Sequence, residues 1–334
     1  MKKNIAINGI GRIGKSVFRR YFEKIPKNCN LQAINLGTNN IDAKLHLLKY
    51  DSIHGKASFD IEKIAEDCIL VNQHKIKLLK ERDISNINWR NYNVDLVLEC
   101  TGNFNNKDSA KKHIEQGASK VIVSAPCKNA DSTIIIGVND ENLHADHQVI
   151  SIGSCTTNCL APVAKMLDAA FQIESGFVTT IHAYTNDQNL VDGGHKDLRR
   201  SRSAGMSMIP TTTGAAESIG IVLPYLAGKL SGAAVRVPTQ NVSMIDFVFN
   251  TKNTVSKNTI NKLFQDCSNK DIVDVVNLPL VSVDHNHSTA SAIIDCLETR
   301  VIQNKMARIV AWYDNEWAFS CRMLELAEKI GKIC

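Results

Sequence analysis

Short apolar runs separated by amphipathic stretches fill the first half of the chain. Asn4–Asn8 reads as a strand, and apolar positions from Arg12 to about Glu23 recur at helical spacing. Leu31–Asn35 and Val94–Glu99 are further strands, the second apolar enough to be buried on both faces. Lys120–Ser124, Ile134–Val138 and Gln148–Ser151 are expected to complete the set. Leu45–Ser52, with His54-Gly55 after it, reads as a helix and turn. Strands of this kind alternating with helices predict a doubly wound parallel sheet.

The second half has another rhythm. A helix is expected to start at Cys155, and Pro162 within it predicts a bend, because proline removes a hydrogen bond and crowds the preceding turn. Phe177–Ile181 alternates and delivers His182 at its end. Ala233–Val237, Val242–Asn250, Ile293–Asp295 and Met306–Trp312 read as strands of a mixed, mostly antiparallel sheet, and Trp317–Ile333 as the final helix. Asn186–Met208 is polar, basic and glycine-containing, a long loop. The expected domains are 1–154 and 155–316, with the C-terminal helix 317–334 packing back on the first.

At 334 residues, two domains with a sizeable core are expected. The 44% hydrophobic and 22% charged content is that of a globular chain, and a net charge of +5 suits anionic small substrates better than nucleic acid. Ten irregularly spaced cysteines point to a reducing, cytoplasmic setting and no zinc cluster. Arg12 and Lys15 interrupt the apolar run after Met1-Lys2-Lys3 before it reaches leader length. No uninterrupted apolar stretch of about 18 residues suggests a membrane span.

Three stretches carry chemistry. Gly9-Ile10-Gly11-Arg12-Ile13-Gly14 lies between a strand and a helix, the arrangement in which glycines let a pyrophosphate approach a helix N-terminus. The first domain is therefore expected to be of Rossmann type. Ser154-Cys155-Thr156-Thr157-Asn158-Cys159 is rich in helix-capping groups, so Cys155 would lie where free N–H groups favour a thiolate and a developing oxyanion. Cys159, one turn further in, reads as a small buried hydrophobe. His182 in Thr179-Thr180-Ile181-His182-Ala183-Tyr184-Thr185 supplies the base that a nucleophilic cysteine needs.

Ser154–Pro162 resembles the active-site signature of the phosphorylating glyceraldehyde-3-phosphate dehydrogenases of bacterial type. The resemblance continues through His182–Gln188, Pro210–Ala216, Arg236-Val237-Pro238-Thr239 and Trp312–Trp317, and covers essentially the whole chain. It implies Cys155 and His182 as the catalytic pair. It further implies Thr185 and Arg236 for the substrate phosphate, and Ser154, Thr156, Thr213, Gly214 and Arg199 for inorganic phosphate, with Arg202 as the alternative arginine. For the cofactor it implies Gly9, Gly11, Arg12, Ile13, Gly14, Leu36, Thr101, Gly102, Ser124 and Asn315. The resemblance also implies a homotetramer in which the loop reaches a neighbouring subunit.

Several positions depart from that family. Its Asn-Asp after the second strand reads Asn35-Leu36, which removes the carboxylate that selects NAD over NADP. Thr38, Asn39 and Asn40 follow as hydrogen-bond donors, and Gly193-Gly194 stands where NAD-preferring relatives have Leu-Pro. NAD remains the expected cofactor, with NADP as the alternative; Asp42 is the substitute source of charge. Ser151-Ile152-Gly153-Ser154 and Ala318-Phe319 are further departures. Two other functions fit less well. Erythrose-4-phosphate dehydrogenases depart from His-x-Tyr-Thr and Pro-x-Thr-Thr-Gly, both intact here. A binding protein on a retained scaffold would not need the complete catalytic set.

Overall fold

The computed structural model describes residues 2–38, 40–267 and 269–333, so Met1, Asn39, Ser268 and Cys334 lie outside the described residues. Two compact units divide the chain, Met1–Ser154 with Phe319–Cys334, and Cys155–Ala318.

The first unit is built on a nine-stranded sheet. Its order is Ser132–Thr133, Val149–Ser151, Lys120–Val123, Leu96–Glu99, Lys3–Asn8, Cys29–Asn35, His74–Leu79, Cys68–Val71 and Ile61–Ala65. Pairing is parallel as far as His74–Leu79, and the last two strands run antiparallel. Ile5, Ala6 and Ile7 are wholly buried, as a central strand covered on both faces requires. Helix Arg12–Glu23 buries Val17, Phe18, Tyr21 and Phe22, and the rings of Phe18 and Phe22 pack with centroids 5.0 Å apart. The connections leave Lys3–Asn8 toward one edge and Leu96–Glu99 toward the other, so the strand order reverses between these two neighbours. Open α/β sheets bind ligands at that reversal, beyond the carboxyl ends of the strands.

Two expected elements differ. Ile134–Val138 forms a turn rather than a strand, and the short strand is Ser132–Thr133. Asn139 causes the change. Its side chain accepts from the Ile135 N–H at 2.8 Å and donates to the Thr133 carbonyl at 2.9 Å, while Gly137 takes a φ of +82°. Ile134 and Ile135 are buried all the same, so apolarity alone does not distinguish this turn from a strand. The helix expected at Leu45–Ser52 starts earlier and runs Ile41–Lys49, because the Asn40 side chain caps it by accepting from the Ala43 N–H. Tyr50–Asp51 then pairs with Gly55–Lys56 as a small antiparallel ribbon.

The second unit holds a mixed sheet, in the order Ile209–Thr211, Leu230–Val237, Ile173–Ala183, Ser243–Thr251, Met306–Tyr313, Ala292–Asp295 and Val273–Val276. Ile173–Ala183 pairs in parallel with Leu230–Val237, as Val273–Val276 does with Ala292–Asp295; the other pairs are antiparallel. Helix Cys155–Phe171 runs through Pro162 as one element of 17 residues. It buries Cys159, Leu160, Val163, Ala164 and Leu167 completely. The last helix, Trp317–Ile333, groups with the first unit from Phe319 onward, and its Lys329 pairs with Asp140 there.

Candidate active site

Cys155 is the first residue of its helix, where backbone N–H groups lack an intrahelical partner and the helix dipole is positive. His182 is the penultimate residue of strand Ile173–Ala183. Strand and helix bring Cys155 Sγ to 3.4 Å from His182 Nε2. The parallel partner strand sets Arg236 opposite His182 in register. Arg236 Nη1 lies 2.7 Å from His182 Nδ1 and donates to the Ala183 carbonyl at 2.8 Å. His182 Nδ1 is also 2.7 Å from that carbonyl. A ring whose Nδ1–H donates to Ala183 presents a bare Nε2 that takes the thiol proton. A ring whose Nδ1 accepts from Arg236 presents Nε2–H, which stabilises a thiolate.

Taken singly, neither group favours charge. Burial pushes the Cys155 thiol up, although Arg236 and the helix-terminal groups oppose it. Burial, with the Arg236 charge added, pushes His182 down to about 3. Transfer of the proton from sulfur to nitrogen creates no net charge, however. Opposite charges at 3.4 Å attract by about 5 kcal/mol at an effective dielectric constant of about 20. Ionisation of either group is therefore coupled to that of the other.

A buried frame holds this pair. Tyr313 Oη bonds Thr156 Oγ1 at 2.9 Å and Thr180 Oγ1 at 2.8 Å, and its ring meets His182 edge to face. Ser243 Oγ accepts from the Ala183 N–H and donates to Asn315 Oδ1 at 2.8 Å. That leaves the Asn315 amide nitrogen to donate to a ligand. Sequence reasoning does not single out Tyr313, Thr180 or Ser243. Thr180 does carry a signal, since residues two apart share a strand face and His182 is two positions on.

The residues expected to hold anions lie in the same unit, except Ser154, the last residue of the first unit's main segment. Thr213 Oγ1 accepts from the Ala215 N–H at the start of helix Ala215–Val222, and a Cβ at Gly214, its N-cap, would meet nothing within 4 Å. Thr185 bonds Gln188 Oε1 through its N–H at 3.0 Å. The arginines of the loop differ. Arg202 is tied to Asp192 at 2.9 Å, and Arg200 to Asp187 and Thr211. Arg199 is exposed and has no acidic partner among the described residues, so its guanidinium is free for an anion.

In the first unit the remaining residues gather at the carboxyl edge of the sheet. Gly9, Gly11, Arg12, Ile13 and Gly14 form the turn and first helical residues after Lys3–Asn8; Thr101-Gly102 follow Leu96–Glu99, and Ser124 follows Lys120–Val123. A Cβ on Gly14 would fall 1.9 Å from the Gly9 carbonyl oxygen, whereas one on Gly11 would meet nothing. The turn is thus packed behind and open in front, which fits a pyrophosphate. Arg12 and Lys15 turn their side chains to Asp51, at 2.5 and 2.8 Å. Burial opposes charge on Asp51, but those cations and two backbone N–H groups hold its carboxyl well below the usual range. Leu36 is buried and its N–H donates to the Leu79 carbonyl. Asp42 is exposed, 3.6 Å from Lys63, while Arg82 Nε donates to the Gly37 carbonyl. Among the described residues no cluster of three or more His, Cys, Asp or Glu could hold a metal, and no helix is long and apolar enough to cross a membrane.

The family models for glyceraldehyde 3-phosphate dehydrogenase match both halves, the NAD binding domain over residues 3–107 and the C-terminal domain over 154–315. The chain belongs to the glyceraldehyde-3-phosphate dehydrogenase family. Glyceraldehyde-3-phosphate dehydrogenase 2 of Bacillus subtilis is 48% identical over 99% of this chain and 97% of its own length. The glyceraldehyde-3-phosphate dehydrogenase of Xanthobacter flavus is 46% identical over 100% of both chains. A Staphylococcus epidermidis relative, glyceraldehyde-3-phosphate dehydrogenase 2, is 46% identical over 100% of this chain and 97% of its own.

The Cys155–His182 pair has two readouts. Alkylation of Cys155 by iodoacetamide against pH should show an inflection below the free-thiol value of about 8.5, moved upward in His182→Asn. An unchanged profile would mean that the helix terminus alone sets the thiolate. Acid stability gives the second. Between about 6.5, the unfolded value, and about 3 the unfolded chain binds a proton that the folded site refuses, so stability falls as pH falls through this window. Urea titrations should show a shallower fall in His182→Asn.

Proposed function

We propose that the protein oxidises glyceraldehyde 3-phosphate to 1,3-bisphosphoglycerate, using inorganic phosphate and NAD. The observation that carries this is the 3.4 Å approach of a helix-terminal cysteine to a histidine in a chain of this family. His182 takes the thiol proton, and Cys155 Sγ adds to the aldehyde carbon to give a thiohemiacetal. The positive end of the helix dipole at Cys155 stabilises the oxyanion that forms. NAD held at the glycine turn Gly9–Gly14 would supply the hydride acceptor, and departure of hydride from the thiohemiacetal carbon leaves a thioester on Cys155. Inorganic phosphate then attacks the thioester carbon, and the Cys155 thiolate leaves. Arg236, whose Nε is buried without a hydrogen-bond partner among the described residues, and Thr185 hold the substrate phosphate in this reading; Ser154, Thr156, Thr213, Gly214 and Arg199 hold the attacking one. Residues 1–154 serve as the dinucleotide-binding domain and 155–316 as the catalytic domain.

Arg199 is favoured over Arg202 because Asp192 already neutralises Arg202. Reduced-cofactor absorbance with glyceraldehyde 3-phosphate should rise steadily only when phosphate is present. Arg199→Ala should raise the KM for phosphate about tenfold or more, the scale of one lost charge-assisted bond, while Arg202→Ala stays near wild type. Steady turnover without phosphate would sink the reading.

The protein is further proposed to be a cytoplasmic homotetramer. Leu190, Val191, Leu198, Met206 and Met208 are all exposed on the loop, and Phe177 and Val248 on the sheet, an apolar area that a second copy would cover. Light scattering should give four chains; a stable, active monomer would refute this.

Discrimination between NAD and NADP is proposed to be weak. Leu36 offers no carboxylate to repel a 2′-phosphate, and Arg82 at Gly37 brings a positive charge to that turn. The ratio of kcat/KM for the two cofactors should stay below roughly a thousandfold, ~4 kcal/mol. A larger preference for NAD would require a repelling carboxylate and would overturn the proposal.

A further inference from the structure

Glu99 is a carboxylate that the reaction does not use, yet it is 1% exposed at the carboxyl end of a central strand. Withdrawing such a group from water costs several kcal/mol unless donors surround it. Four do. Oε1 accepts from the Thr101 N–H at 2.7 Å and from Thr101 Oγ1 at 2.5 Å. Oε2 accepts from Asn8 Nδ2 at 2.6 Å and lies 2.9 Å from His113 Nε2. The His113 tautomer follows from its other side. Trp89 Nε1, which can only donate, lies 3.2 Å from His113 Nδ1, so Nδ1 accepts and Nε2 carries the hydrogen given to Glu99.

Both branches from Glu99 end at the cofactor cradle. On one side Thr101 is held with its Cγ2 against Gly9, so close that a Cβ on Gly9 would fall 2.6 Å from it. Thr101 therefore backs the turn that opens at Gly11. On the other side Asn8 Oδ1 accepts from Asn35 Nδ2 at 2.7 Å, and Asn35 Oδ1 accepts from the Gly37 N–H at 3.3 Å. That branch reaches the turn after the second strand, where the adenosine ribose is read. We propose that Glu99, held by His113 and Trp89, is a positioning residue that fixes the pyrophosphate turn and the ribose turn relative to each other. The proposal rests on the reading that this edge binds NAD.

Glutamine in place of Glu99 keeps the shape but presents an amide to donors on whichever side it faces. The Trp89 bond prevents His113 from switching tautomer in response. Binding of NAD is measured directly by titration calorimetry, without substrate, on Glu99→Gln, His113→Ala and His113→Gln. His113 is wholly buried, packs its ring on Trp89 and Phe104, and has its hydrogen bond toward the cradle through Glu99. Glu99→Gln and His113→Ala should weaken NAD about tenfold or more, with kcat at saturating NAD within about threefold of wild type. His113→Gln, which keeps a donor, should recover most of the affinity. If Glu99→Gln does not fold, the His113 pair gives the same comparison. Unchanged NAD affinity in the folded variants, or equal losses in His113→Ala and His113→Gln, would overturn the positioning role while leaving NAD binding intact. Wild-type protein that fails to bind NAD would instead refute the reading beneath it.

Discussion

A half-buried sulfur and a buried ring nitrogen, held 3.4 Å apart, are the constraint on which the second unit depends. Neither group favours charge alone there, and packing keeps either from moving to relieve the other. One is fixed by the first turn of a long helix whose buried face continues through Cys159, Val163 and Leu167. The other is fixed by a strand locked between two neighbours. Tyr313 ties the two elements together from below through Thr156 and Thr180. Ordinary packing thus pre-organises the pair that the proposed reaction uses for proton transfer, and the cost of ordering is met on folding rather than at each turnover.

Arg236 makes the site responsive to anions. It lies against the histidine nitrogen that does not face the sulfur, and its own Nε has no hydrogen-bond partner among the described residues. A guanidinium so placed disfavours a lone imidazolium but favours any arrangement that brings negative charge near it. In the proposed reaction, thiolate, substrate phosphate and developing oxyanion all meet that description. In the first unit the same economy applies in reverse: the deeply buried Glu99 carboxylate at the sheet edge gathers donors around itself, and the glycine turns rest on those donors.

Much of this is legible in the sequence. Capping residues and strand alternation mark Cys155 and His182, and the place between strand and helix marks the glycine turn. Motifs of this kind are local, and local geometry follows from local sequence. The parts that are not legible depend on distant partners. Tyr313 meets Thr156 across 157 residues, and Glu99 meets Asn8 across 91, so neither has a neighbouring signal. Ile134–Val138 differs for another reason: its burial follows from its apolar residues, but its backbone direction does not. The Asn139 side chain competes there for the hydrogen bonds a strand would need. The choice among Arg199, Arg200 and Arg202 also needs the fold, because only the positions of Asp187 and Asp192 show which charges are already answered.

The central claim is covalent catalysis at Cys155, and a single turnover without phosphate tests it most directly. Mixing the enzyme with NAD and glyceraldehyde 3-phosphate, then quenching in acid, should give a burst of about one equivalent of reduced cofactor per chain. Mass spectrometry of the digest should find the acyl group on Cys155. An acyl group on Cys159, or a burst with no acylated cysteine, would contradict the account.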